Sequence, residues 1–162
     1  MLNKPLIKQT LVATLLAAPM GLADPPAARW PVRAFDDWRL DCTASPCTLR
    51  TAILGADGSA VLRLALLPGE PPLLELATPL PVYVPDGLVL AAGDEPPLAV
   101  PCRICGPDGC IAQVAATPAL LAALRRERAA SATLTPSDGV PVRIRVSLIG
   151  YTAASRAASV NP

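Results

Sequence analysis

Five cysteines, Cys42, Cys47, Cys102, Cys105 and Cys110, carry most of the chemistry this chain can offer. Cys42 and Cys47 have the same spacing as Cys105 and Cys110. That matched spacing suits two small disulfide loops. Closing a loop of about six residues contributes about 2 kcal/mol by restricting the unfolded chain. Longer crosslinks, such as Cys42 to Cys110, would contribute more, and spacing alone does not exclude them. Five is an odd number, so one thiol is left over. Cys102 lies outside both matched pairs and is the candidate free thiol.

The same residues admit two other chemistries. Cys102-Arg103-Ile104-Cys105 is a C-x-x-C motif, which would make a thiol–disulfide redox centre. Such a centre normally has its first cysteine at a helix N-terminus, which lowers the thiol pKa. Here Gly106-Pro107-Asp108-Gly109 follows, a turn signal rather than a helix. A zinc site on Cys102, Cys105 and Cys110 would need a fourth ligand, and an oxidising compartment favours disulfides over metal thiolates. Structural disulfides are the expectation, with the redox centre as the alternative.

Other catalytic groups are sparse. The chain has no histidine, the commonest general base and metal ligand. Its only lysines are Lys4 and Lys8. Asp36, Asp37 and Asp41 could suggest paired carboxylates, but strand alternation places Asp37 and Asp41 on a solvated face. Ser147 and Ser155 have no base to activate them, and no Gly-rich phosphate loop appears. Arg125-Arg126-Glu127-Arg128 is the exposed end of a helix. No catalytic residue, cofactor-binding residue, metal ligand or cofactor is assigned, and the chain is expected not to be an enzyme.

The N-terminus indicates where the cysteines would work. Lys4 and Lys8 precede the apolar run Leu11 to Ala18, and Gly21 and Ala23 are small residues at the positions a signal peptidase reads. Residues 1–23 are therefore expected to be a secretory signal peptide, cleaved after Ala23. The mature chain would have 162 − 23 = 139 residues, enough for one domain with a proper core. It would lose both lysines and keep 14 − 2 = 12 arginines against 13 acidic residues, a net charge of −1. Near-neutrality argues against nucleic acid as a partner and against a polybasic membrane patch. Val61 to Leu67 and Leu73 to Ala92 are too short or too interrupted by charge and proline to span a membrane. The expected location is periplasmic or secreted.

Residues 24–34 are rich in proline and alanine and are expected to form a flexible arm, with structure starting near Phe35 and one domain over 35–157. Trp38, Leu40 and Cys42 alternate with polar neighbours, the pattern of a half-buried strand. Further strands are expected at Cys47–Leu54, Ser59–Leu67, Leu73–Ala77, Val82–Val84, Leu88–Ala91, Leu98–Pro101, Ile111–Ala115, Ala132–Thr135 and Val142–Leu148. One short helix is expected near Pro118–Arg128: Thr117 is a good N-cap, and proline is tolerated at the first helical position. Many short strands with turns between them indicate a mainly β antiparallel sandwich or small barrel.

Four segments, in order, resemble the invasion-associated locus B (IalB) family. They are Phe35-Asp36-Asp37-Trp38-Arg39-Leu40-Asp41-Cys42, the run from Pro79 to Leu88, Cys105-Gly106-Pro107-Asp108-Gly109-Cys110-Ile111-Ala112, and Ser147-Leu148-Ile149-Gly150-Tyr151-Thr152-Ala153-Ala154. Cys102 has no counterpart in that pattern, and Pro81 stands where a glycine is usual. The resemblance implies an exported single-domain protein of alphaproteobacterial type, with an immunoglobulin-like β-sandwich and no established enzymatic activity. Some members of that family are associated with host-cell invasion, and many occur in free-living bacteria.

The leading expectation is an envelope or surface protein that acts by binding another envelope or surface protein. Its contact surfaces would be the loops Pro68–Pro72, Gly93–Pro97 and Cys105–Cys110, since loops on rigid scaffolds carry function. The rivals are a periplasmic redox protein using Cys102 and Cys105, and an assembly accessory that offers an edge strand to a client.

Overall fold

Alternation of apolar and polar side chains buries one face of each strand, and the chain follows that rule along most of its length. The computed structural model describes residues 32–79 and 82–160. The expected signal peptide, its cleavage site, residues 24–31 of the arm and Pro81 lie outside the described residues. The strands are β1 (Arg33–Phe35), β2 (Trp38–Asp41), β3 (Thr48–Leu54), β4 (Ala60–Leu67), β5 (Leu73–Thr78), β6 (Leu88–Ala92), β7 (Leu98–Val100), β8 (Cys102–Gly106), β9 (Gly109–Ala115), β10 (Ala129–Leu134) and β11 (Val142–Ser147). Two helices accompany them, α1 (Pro118–Arg126) and α2 (Tyr151–Val160).

The strands form two antiparallel sheets, ordered β1-β2-β3-β4-β5-β9-β8 and β11-β10-β6-β7. The chain is mainly β and sandwich-like, as the strand pattern implies. The immunoglobulin-like detail is not established. That fold divides its strands ABED and CFG, whereas here β1 to β5 neighbour one another consecutively in one sheet.

A single core joins the sheets. Trp38, Leu40, Leu62, Leu64, Leu74 and Leu76 come from the larger sheet, and Leu88, Leu90, Val100, Ala132 and Val146 from the smaller. Each buried leucine contributes roughly 2 kcal/mol relative to an exposed one. Trp38 is fully buried, as its place on the apolar face of β2 requires. It packs edge-on against Tyr151, with ring centroids 4.9 Å apart, and its Nε1 donates to Ser147 O at 2.9 Å.

Helix α1 starts as its sequence dictates. Leu120 N donates to Thr117 Oγ1 at 3.1 Å, and Pro118 occupies the first turn. It stops at Arg126, and Glu127 is extended. Arg128 therefore lies beyond the helix, and its carbonyl accepts from Leu148 N at 3.0 Å.

The structure corrects the sequence reading at four places. Among the described residues two helices are present, not one: α2 packs on β1, β2, β3 and α1, with Tyr151 and Ala154 buried. Its alanines are strong helix formers, and Gly150, at φ +88°, turns the chain into it. Val82–Val84 is not a strand. Val82 makes only an isolated bridge with Pro136, and Val84–Asp86 is a 3-10 turn. Pro79, Pro81 and Pro85 lack the amide donors a ladder needs. The Cys105–Cys110 segment is not a loop. It is the tip of a hairpin in which Cys102–Gly106 is itself a strand. Finally, β1 begins at Arg33, inside the stretch expected to be an arm.

Candidate functional site

Both expected disulfides are present. Cys42–Cys47 closes the connection between β2 and β3, and Cys105–Cys110 ties two residues that face each other across the β8–β9 hairpin. Cys102 is a free, half-buried thiol, and burial pushes its pKa up. Cys102 and Cys105 are not bonded to each other. Yet the sulfurs of Cys102, Cys105 and Cys110 all lie within 4.8 Å of one another. While Cys105 and Cys110 remain bonded, only Cys102 has a thiolate to give, so this state does not match the thiolate set a zinc site requires. Nor does Cys102, the first cysteine of the C-x-x-C motif, sit at a helix N-terminus: it begins strand β8.

The three aspartates do not form a catalytic pair. Asp36, at φ 48°, makes the turn between β1 and β2. Asp37 Oδ2 accepts from Ser147 Oγ at 2.5 Å, which joins the start of β2 to the end of β11. Asp41 accepts from Thr43 Oγ1 at 2.6 Å and Thr43 N at 3.1 Å. Those two bonds, with a smaller contribution from Arg50, hold its carboxyl below the usual range. Each of these contacts braces a turn or a sheet end.

A groove of about 410 Å³ opens beside the Cys42–Cys47 disulfide. Pro46, Leu66, Pro68 and Pro72 from the sheet side and Leu121 from α1 give it apolar walls. The Pro68–Pro72 loop, expected to be a contact surface, forms part of its rim. Arg125 and Ser155 supply a polar end, with Arg125 Nη2 donating to Ser155 Oγ at 3.5 Å, and Glu70 and Ser159 are also in the lining. Among the described residues, no carboxylate pairs with Arg125. The hydroxyl of Tyr151 is buried close by and makes no hydrogen bond of standard geometry among the described residues. Burial pushes its pKa up, while the nearby Arg125 and Ser155 pull it down. The buried hydroxyl is near Ser155 and Arg125 but outside direct bonding geometry.

The sequence places Arg125 on a solvated helix end and marks Tyr151 only as part of the family-like closing segment, with no role of its own. Their proximity depends on α2 folding back on α1, where Thr152 Oγ1 donates to Arg125 O at 3.0 Å. No local pattern encodes that contact. The Cys105–Cys110 hairpin borders a second depression of about 340 Å³, with Arg63, Pro79 and Ile104 on its walls. Among the described residues, no helix is long and apolar enough to cross a membrane.

The fold and the motifs have counterparts among known proteins. The structure is similar to the crystal structure of invasion associated protein b from Bartonella henselae, with a TM-score of 0.71 and 18% sequence identity, covering 80% of this chain and 96% of that one. At that identity the likeness shows the fold alone. No curated protein matches the sequence significantly. Residues 30–159 match the family described as Invasion associated locus B (IalB) protein, and the chain belongs to that family.

Proposed function

We propose that this chain is an exported, disulfide-braced envelope protein that acts by binding rather than by catalysis, and that the groove between the Pro68–Pro72 loop and helix α1 is its binding site. The observation that carries this reading is the groove's composition. It has apolar, proline-stiffened walls, the acidic Glu70 in its lining and, at one end, a guanidinium with no carboxylate partner among the described residues. Such a site suits an extended apolar peptide segment that carries a carboxylate, because unpaired arginine favours bidentate carboxylate recognition. Prolines keep the walls in place without a ligand, which lowers the ordering cost of binding.

Export supports the same reading. Two short-range disulfides form and persist in an oxidising compartment such as the periplasm or the cell exterior. The N-terminal pattern ending at Ala23 supplies the route, and intact mass of envelope-derived protein is expected to give a chain starting at Asp24.

The binding claim is tested by affinity capture from solubilised envelopes with the native protein and with Arg125→Glu and Leu121→Arg. A partner captured by the native chain and lost with both variants supports it. Capture that is unchanged by both substitutions overturns the groove as the site.

A further inference from the structure

We infer that Cys102, Cys105 and Cys110 form an exchanging sulfur triad, in which the disulfide passes from Cys105–Cys110 to Cys102–Cys110 and leaves Cys105 as an exposed thiol open to covalent modification.

The geometry comes from a bulge. Residues three apart on a regular strand point to opposite faces. Cys102 and Cys105 would therefore diverge, and Cys102 would be out of reach of the disulfide. In β8 the register moves from Cys102 opposite Ala112 to Ile104 opposite Ile111, so that two steps on β8 match one step on β9. Arg103 is the extra residue of a β-bulge, and it shifts the phase so that Cys102 and Cys105 share a face. Cys110 and Ala112, two apart on β9, share that face as well. Cys102 thus has Cys110 as its diagonal cross-strand neighbour, and the three sulfurs gather within 4.8 Å.

The exchange is balanced within the chain. Cys102 Sγ, as thiolate, attacks Cys110 Sγ. The Cys102–Cys110 bond forms as the Cys105–Cys110 bond breaks, and the electron pair leaves on Cys105 Sγ, which takes up the proton Cys102 gave. One disulfide is present before and after, so no oxidant or reductant is needed. Attack at Cys110 is favoured over attack at Cys105 because of where the leaving sulfur ends. Cys105 is exposed, so its thiolate departs into water, whereas Cys110 is only 1% exposed and its thiolate would be stranded in the interior. The half-buried position of Cys102 keeps its thiolate fraction small, so the exchange is slow at neutral pH and calls for mildly alkaline incubation.

The sequence offers a direct readout. Trypsin cuts after Arg63, Arg103 and Arg125, which places Cys102 in peptide 64–103 and both Cys105 and Cys110 in peptide 104–125. These peptides are separate in the starting state and joined after exchange. The intact native protein is incubated at pH 8.5 with iodoacetamide, quenched in acid and digested without reduction. The expected result is time-dependent accumulation of peptide 64–103 linked through Cys102–Cys110 to 104–125, with the label on Cys105, and complete loss of Cys105 labelling in Cys102→Ser. Label confined to Cys102, with 104–125 always closed on itself, overturns the inference. So does a link through Cys105 with the label on Cys110, which reverses the direction of attack. Equal linkage of 64–103 to peptide 40–50, which carries Cys42 and Cys47, would mean general scrambling and would also overturn it.

Discussion

Replacing Gly150 by alanine is expected to be among the most damaging single-methyl changes in this protein. A Cβ at position 150 would sit 2.6 Å from the carbonyl carbon of Phe35 and closer still to its oxygen. Ordinary contact begins near 3.4 Å, so β1 and the start of α2 must separate by roughly 1 Å or more. That movement opens the seam where Tyr151 packs on Trp38 and where Asp37 meets Ser147. Gly150 also has φ +88°, a conformation that costs an L-residue about 1 kcal/mol. Gly58, at φ +79°, and Gly139, at φ +77°, share that backbone cost, but a methyl added at either would meet nothing within 4 Å. The three alanine variants therefore separate backbone strain from steric overlap. Gly58→Ala and Gly139→Ala are each expected to lose about 1 kcal/mol. Gly150→Ala is expected to lose at least about 3 kcal/mol, in the range of severe packing changes. The assay is urea unfolding followed by far-UV circular dichroism. If Gly150→Ala lies within about 0.5 kcal/mol of Gly58→Ala, the docking of α2 on β1 is wrong.

Three further outcomes follow from the contacts described. The double variant Cys42→Ser/Cys47→Ser is expected to lose about 2 kcal/mol, read as a lower urea midpoint, and added reductant should then lower its midpoint less than it lowers that of the native protein. Trp38→Phe deletes the hydrogen bond to Ser147 O and part of the central ring volume, with an expected loss of about 2–3 kcal/mol; an unchanged thermal midpoint would contradict the burial of Trp38. Asp41 has a lowered folded pKa, owed first to Thr43 Oγ1 and then to the Thr43 amide. Its contribution is present above the unfolded value of 3.8 and disappears as pH falls through the lower folded value. Asp41→Asn should accordingly flatten the acid limb of a stability–pH curve below pH 4, and an identical limb would refute that role.

How much of this is legible in the sequence varies by element. Strand β2 and helix α1 carry local signals: alternation around Trp38 and Leu40, and the Thr117-Pro118 start. Both disulfides are legible too, because the matched spacing of the two cysteine pairs favours short-range staples. Helix α2 reads only as part of a motif, because its small, alanine-rich face has weak apolar periodicity and its identity depends on docking against β1–β3. Strand β8 is hidden because its cysteines, glycine and following proline imitate a loop, while the bulge at Arg103 breaks the two-residue period. The groove is half visible. Its proline rim is expected from sequence, but Arg125 and Ser155 meet only through the α1–α2 contact, which is tertiary information.

The most direct test of the account is site-specific photocrosslinking in the native envelope. A photoreactive residue is placed at Leu121 in the groove and, separately, at the exposed Ser137 in the β10–β11 connection. A discrete crosslinked product is expected at Leu121, lost when Arg125→Glu is added, and none at Ser137. A product at Ser137 with none at Leu121, or a Leu121 product indifferent to Arg125→Glu, would contradict binding through this groove.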